Sequence, residues 1–184
     1  MGKRLCTSKF SLEKRKKIYE LAKKHNFLIV EDNPYGDLYF DEAPPATIKS
    51  MDTDGIVIYA GSFSKVLAPG LRVGWCIAPK SLIAKFTAIK QTQDVHSNIL
   101  AQMIAYKFIT EYDFEGHLEK LRALYIKKAK FCFDLMDEHL APEIEFQKAK
   151  GGLFAWCKLP ENVDMPEFCT KAVKEFKTAV VPGS

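Results

Sequence analysis

The sequence predicts a layered α/β fold, and three observations carry that reading. Unbroken apolar runs at FLIVED (27–32) and GIVIYAGSF (55–63) have the pattern of strands covered on both faces of a mainly parallel sheet. A helical period precedes the first run, and turn-forming residues separate it from the second. Short connections between helix and strands fit packed layers.

Taken in order, SLEKRKKIYELAKKHN reads as an amphipathic helix. Ser11 is its N-cap, Glu13 and Lys14 begin the polar face, and Ile18, Leu21 and Ala22 supply the apolar one. The helix ends near Asn26 and runs into the first strand, which NPYGD stops. RVGWCIA is read as a third strand. After Pro79 the period becomes helical in KSLIAKFTAIKQTQD, SNILAQMIAYKFITE and the long FEGHLEKLRALYIKKAKFCFDLMDEHL. A helix of that length bridges two domains more often than it sits inside one. The expected division is therefore 1–112, a bridging helix over 113–140, and a smaller α+β unit over 141–184. In that last unit IEFQKA, LFAWCKL and AVV are read as strands and MPEFCTKAVKEF as a helix.

The bulk properties narrow the function. At 184 residues the chain can bury a real core, and 47% apolar with 27% charged residues is an ordinary globular balance. A formal charge of +4 is mild, and the basic residues are scattered or lie on polar helix faces, so no nucleic-acid partner is predicted. Cys6, Cys76, Cys132, Cys157 and Cys169 form no CxxC pair and are odd in number, which predicts free thiols in a reducing cytoplasm. The four histidines lack ligand spacing, so no metal is expected. No apolar run approaches the roughly 20 residues of a membrane span, and no signal-like start is present.

The chemistry lies at the strand ends, because ligands of parallel α/β sheets bind beyond the carboxyl ends of the strands. Asp32 and Tyr35 follow the first run; Ser62, Ser64 and Lys65 follow the second; Arg72 stands where the third strand starts. Singly, each has an ordinary reading as turn cap, packed ring or solvated charge. Together they place an acid, a phenol, two hydroxyls, an amine and a guanidinium at one crevice. A desolvated lysine beside another cation can form a Schiff base with a carbonyl. Pyridoxal 5'-phosphate accounts for the rest, since its ring nitrogen needs a carboxylate and its phosphate suits hydroxyls and an arginine fork.

EDNPYGDLYF followed by YAGSFSKVLAPGLRVGW resembles the fold-type-I pyridoxal-phosphate aminotransferases of class I/II, nearest the aminoadipate/kynurenine-type branch. The resemblance implies that Asp32 pairs with the pyridine nitrogen and that Tyr35 donates to the ring oxygen. It also implies that Lys65 forms the internal aldimine, and that Ser62, Ser64 and Arg72 hold the phosphate. It extends to GGLFAW and VVPGS, and so runs along nearly the whole chain. The implied fold is part of the three-layer large domain, the bridging helix and part of the small domain. The implied reaction moves an amino group between an amino acid and a 2-oxo acid, in a homodimeric parent in the cytoplasm.

Other parts of the family pattern lack counterparts. Gly2 stands for the NPTG motif without its asparagine, and the arginine that clamps a substrate carboxylate is not found after VVPGS. The expectation is a fragment with unpaired sheet edges and exposed apolar faces, and with weak or no activity alone. Two further readings share the same residues: a C–S lyase or decarboxylase of the same fold type, and the aminotransferase-like effector domain of a transcription regulator.

Overall fold

The computed structural model describes residues 10–183, so the readings of Gly2 and Cys6 lie outside the described residues. Helix α1 spans Leu12–His25. Its start is set by Ser11, whose Oγ accepts a hydrogen bond from the Lys14 amide at 3.3 Å. Its end is set by Asn26, which takes the left-handed conformation at φ 53°. The chain then enters β1, Ile29–Asp32, which runs parallel to β2, Val57–Ser62, with Ile29 opposite Val57 and Asp32 opposite Ala60. Strand β3, Gly74–Ile77, lies antiparallel on the other side of β2 with Gly74 opposite Ser62.

The core of this layer is Tyr19 and Ala22 of α1 against Ile29, Ile48 and Val57. Burying the isoleucine and valine side chains contributes about 1.5–3 kcal/mol each. The inward face of α1 differs from the one expected, for Leu21 is 42% exposed and Tyr19 is buried in its stead. A tyrosine can be buried because its hydroxyl finds partners. Tyr19 Oη donates to Asp54 Oδ2 at 2.6 Å and accepts from the Thr53 and Asp54 amides. Beside it, Asp52 accepts from the Ile56 and Val57 amides and from Lys49 Nζ. Burial alone pushes the Asp52 carboxyl up. The Lys49 ammonium and the two amides outweigh it and hold the pKa at about 2.

Pleating divides the sheet into two faces. Ile29, Val57, Tyr59 and Trp75 point toward the α1 side, while Val30, Asp32, Ile58 and Ser62 point away. Trp75 lies flat across β2, stacked on Tyr59 at 5.1 Å, and a Cβ at Gly61 would collide with its ring. The expectation of strands covered on both faces fails here. Val30 is 66% exposed and all four residues of β3 are exposed. The open apolar face and the unpaired outer edges of β1 and β3 match the expected unpaired edges, among the described residues.

Three helices follow, as the periodicity predicts: α2 over Lys80–Gln93, α3 over Ile99–Glu111 and α4 over Phe114–His139. Asn98 and Asp113 cap α3 and α4 through the Ala101 and Gly116 amides. Beyond them β4, Glu145–Gln147, pairs antiparallel with β5, Trp156–Lys158, and α5 spans Met165–Phe176 behind the Asp164 cap. The AVV segment forms no strand, because no strand lies alongside it among the described residues. Helix α4 packs Leu118 against Leu38 and Val66, so it sits directly under the loops that leave β1 and β2.

Candidate active site

Because β1 and β2 run parallel, their carboxyl ends lie at the same edge of the sheet, and the antiparallel β3 starts there. Asp32 ends β1 and Ser62 ends β2, on the face away from α1. After Ser62 the chain folds into one tight turn, in which the Leu67 and Ala68 amides both donate to the Phe63 carbonyl at 2.8 and 3.1 Å. Lys65 stands in the middle of that turn, half-buried. Its Nζ lies 6.0 Å from the centroid of the Tyr35 ring, so the amine and the phenol side chain are neighbours.

The residues expected to hold the phosphate form a second cluster. The Ser64 amide donates to Ser62 Oγ at 3.1 Å. Arg72 caps the short helical turn Pro69–Leu71 with φ 54° and ψ 37°. That left-handed conformation costs about 1–2 kcal/mol in a residue with a Cβ. It folds the side chain back, so that Arg72 Nη1 donates to Ser64 Oγ at 3.4 Å and to the Pro69 carbonyl at 3.2 Å. Asp32 stands apart from both clusters, sharing no hydrogen bond or ion pair with Lys65 among the described residues.

The charge arrangement decides what this edge can hold. Some lysines elsewhere, such as Lys23, Lys49, Lys90 and Lys107, close on carboxylates within 3.0 Å, while others, such as Lys16, Lys85 and Lys120, enter no ion pair among the described residues. Asp32, Lys65 and Arg72 enter no ion pair among the described residues, although all three lie at one sheet edge. A guanidinium with two hydroxyls suits a phosphate, an amine suits a carbonyl, and a carboxylate on the same face as Ser62 suits a protonated ring nitrogen. The residues present therefore fit pyridoxal phosphate in type. Among the described residues no cluster of His, Cys, Asp and Glu is placed to hold a metal ion, and no helix is long and apolar enough to cross a membrane.

The loops are held from outside the sheet. Leu38 and Val66, one in each loop, are buried against Leu118, with Tyr35 and Phe63 packed on them. The Tyr35 loop is also fastened to the segment before β5. The Gly152 amide donates to the Leu38 carbonyl at 2.7 Å, and Phe154 meets the Tyr35 ring edge-on at 5.9 Å. Gly151 and Gly152 permit this approach, for Gly152 has φ 79° and a Cβ on Gly151 would press on the Leu38 carbonyl. Two side chains that sequence reasoning missed belong to this support. His117 Nε2 bonds the Val66 carbonyl, and Arg122 Nε donates to the Asp37 carbonyl, both at 2.8 Å. In the sequence they read as ordinary polar positions of an amphipathic helix, since their partners lie 51 and 85 residues away.

Known proteins resemble this chain. A family model described as aminotransferase class I and II matches residues 6–184. The aromatic-amino-acid aminotransferase 1 of Thermococcus litoralis is 38% identical over 171 residues, which are 93% of this chain and 41% of that protein. An uncharacterized HTH-type transcriptional regulator of Bacillus subtilis, YdfD, is 33% identical over 90% of this chain and 34% of its own length. Among solved structures, the α-aminoadipate aminotransferase LysN of Thermus thermophilus, complexed with N-(5'-phosphopyridoxyl)-L-leucine, superposes with a TM-score of 0.87 at 34% identity. That match covers 94% of this chain and 45% of LysN, so the chain spans less than half the length of these relatives.

Proposed function

The chain belongs to the aminotransferase class I and II family, and we propose that it carries the lysine-bearing part of a pyridoxal-phosphate-dependent aminotransferase. The observation that supports this most is that Asp32, Lys65 and Arg72, none of them in an ion pair among the described residues, all lie at one edge of the sheet. When bound, pyridoxal phosphate supplies a ring that accepts the electron pair released as the Cα–H bond of an amino acid breaks. In this reading Lys65 Nζ attaches the cofactor and, as a free amine, takes the Cα proton as general base. Asp32 keeps a proton on the ring nitrogen by presenting its carboxylate there. Tyr35 orients the ring oxygen, while Ser62, Ser64 and Arg72 grip the phosphate. The substrates are an amino acid and a 2-oxo acid, and the parent enzyme is a cytoplasmic homodimer.

The test is direct. The purified chain is mixed with pyridoxal phosphate, the visible absorption is followed, and the adduct is fixed with borohydride and located by mass spectrometry. The expected result is a band that is lost in Lys65→Ala and a tag on Lys65. A band surviving in Lys65→Ala, with tags spread over surface lysines, would overturn the assignment. Cofactor capture is expected to exceed turnover, because the relatives devote more than half their length to parts outside this match.

The regulator among the relatives supports a second reading, in which the same site senses an amine or the cofactor for a DNA-reading domain elsewhere in its protein. Cofactor capture without any amino-group transfer, in a full-length form joined to a DNA-binding domain, would favour it.

A further inference from the structure

We propose that His117 and Arg122 of α4 are positioning residues that set the Lys65 turn and the Tyr35 loop against each other. The proposal rests on the reading of Lys65 as the attachment point. His117 and Arg122 lie about 7.5 Å apart along the helix axis, and each grips the backbone of a different loop. A carbonyl only accepts, so His117 Nε2 carries the hydrogen in its 2.8 Å bond to Val66. The Phe108 ring packs edge-on against the imidazole at 5.1 Å and holds it in that orientation. Val66 is the residue after Lys65, so a shift of its carbonyl moves the Lys65 backbone with it. Arg122 holds the Asp37 carbonyl two residues after Tyr35, and its guanidinium lies 4.2 Å over the Tyr39 ring.

Between these grips Leu38, Val66 and Leu118 form a closed apolar contact. A purely apolar helix face would also pack there, but it would leave the depth and rotation of each loop free. Two directional bonds to carbonyls define both. Neither side chain need touch the ligand groups, because each acts through one or two peptide units.

The test compares His117→Leu with His117→Gln and Arg122→Leu with Arg122→Lys, the second of each pair keeping a donor. Hydrogen exchange of the cofactor-free chain is read at the Leu67 and Ala68 amides, which close the Lys65 turn, and at Leu38 and Gly152, which fasten the Tyr35 loop. His117→Leu is expected to speed exchange at Leu67 and Ala68 about tenfold, with Gln restoring most of the protection. Arg122→Leu is expected to do the same at Leu38 and Gly152, with Lys restoring part. Amides of α1 and β2 are expected to stay at their original rates. Pyridoxal phosphate affinity, read from the Lys65-dependent band, is expected to fall about tenfold in His117→Leu and to recover in His117→Gln.

Unchanged exchange in both Leu variants overturns the proposal, as does a Gln variant as loose as the Leu one. If His117→Leu fails to fold, the Arg122 pair decides alone. If exchange responds as expected but the unmutated chain forms no Lys65-dependent band, the positioning stands and the cofactor reading falls.

Discussion

The layer of α1, β1 and β2 and the pair α2–α3 are both built from regularly patterned segments, yet only the first closes a core of large side chains. In the first, Ala22 and Val57 are fully enclosed, and the buried polar groups around Tyr19 and Asp52 are all satisfied. In the second, α2 buries no residue and α3 buries only Ala101 and Ala105, while Leu100 is 64% exposed and Ile99, Met103, Ile104 and Ile109 are exposed beside it. A helix that is apolar on nearly every side has the sequence of one surrounded by neighbours. The whole chain exposes 13637 Å² for 20.9 kDa, against roughly 9,000 Å² for a compact monomer of that mass. Caps and periodicity suffice to make a helix, whereas burial needs a partner surface that local signals do not contain.

That contrast can be broken at its strong end first. Asp52→Ala removes the acceptor of two amides and of Lys49, and is expected to cost about 3 kcal/mol in denaturant unfolding. A loss below about 1 kcal/mol would mean that the knot is not what stiffens the layer. Acid acts on the same group. Its pKa is lowered from 3.8 to about 2, so its stabilisation is complete above pH 3.8 and drains away as pH falls toward 2. An acid titration of the unfolding midpoint checks this, with Asp52→Asn expected to flatten that part of the curve. Val57→Ala should cost about 2 kcal/mol, the loss of two buried methyls and the void they leave. At the weak end, Ile104→Ala is expected to change stability by less than about 0.5 kcal/mol and to leave the helical circular dichroism unchanged. If Ile104→Ala matched Val57→Ala, the α3 face would be covered in solution, and sedimentation would show what the chain associates with.

Much of the candidate site was legible because its residues are tied to local features. Asp32 and Ser62 end apolar runs, Lys65 sits in the turn that follows, and Pro69–Gly70 bends the chain back so that Arg72 meets Ser64. Each step spans a few residues, which is the range over which strand ends and turns are encoded. Replacement of Leu21 by Tyr19 in the core was not legible, because it depends on Asp54, 35 residues from Tyr19. His117 and Arg122 were missed for the same reason.

The order of helices and strands as far as α5, the Ser11 cap of α1, and the set of chemical groups delivered to the strand ends were determined by the sequence on its own, because propensity, period and turn chemistry act between near neighbours. Which face of each element is buried, that β3 returns antiparallel beside β2, and that α4 grips both functional loops were decided only by the tertiary structure. Those outcomes rest on packing and hydrogen bonds between residues from a dozen to 85 positions apart, and such pairings have no period to read.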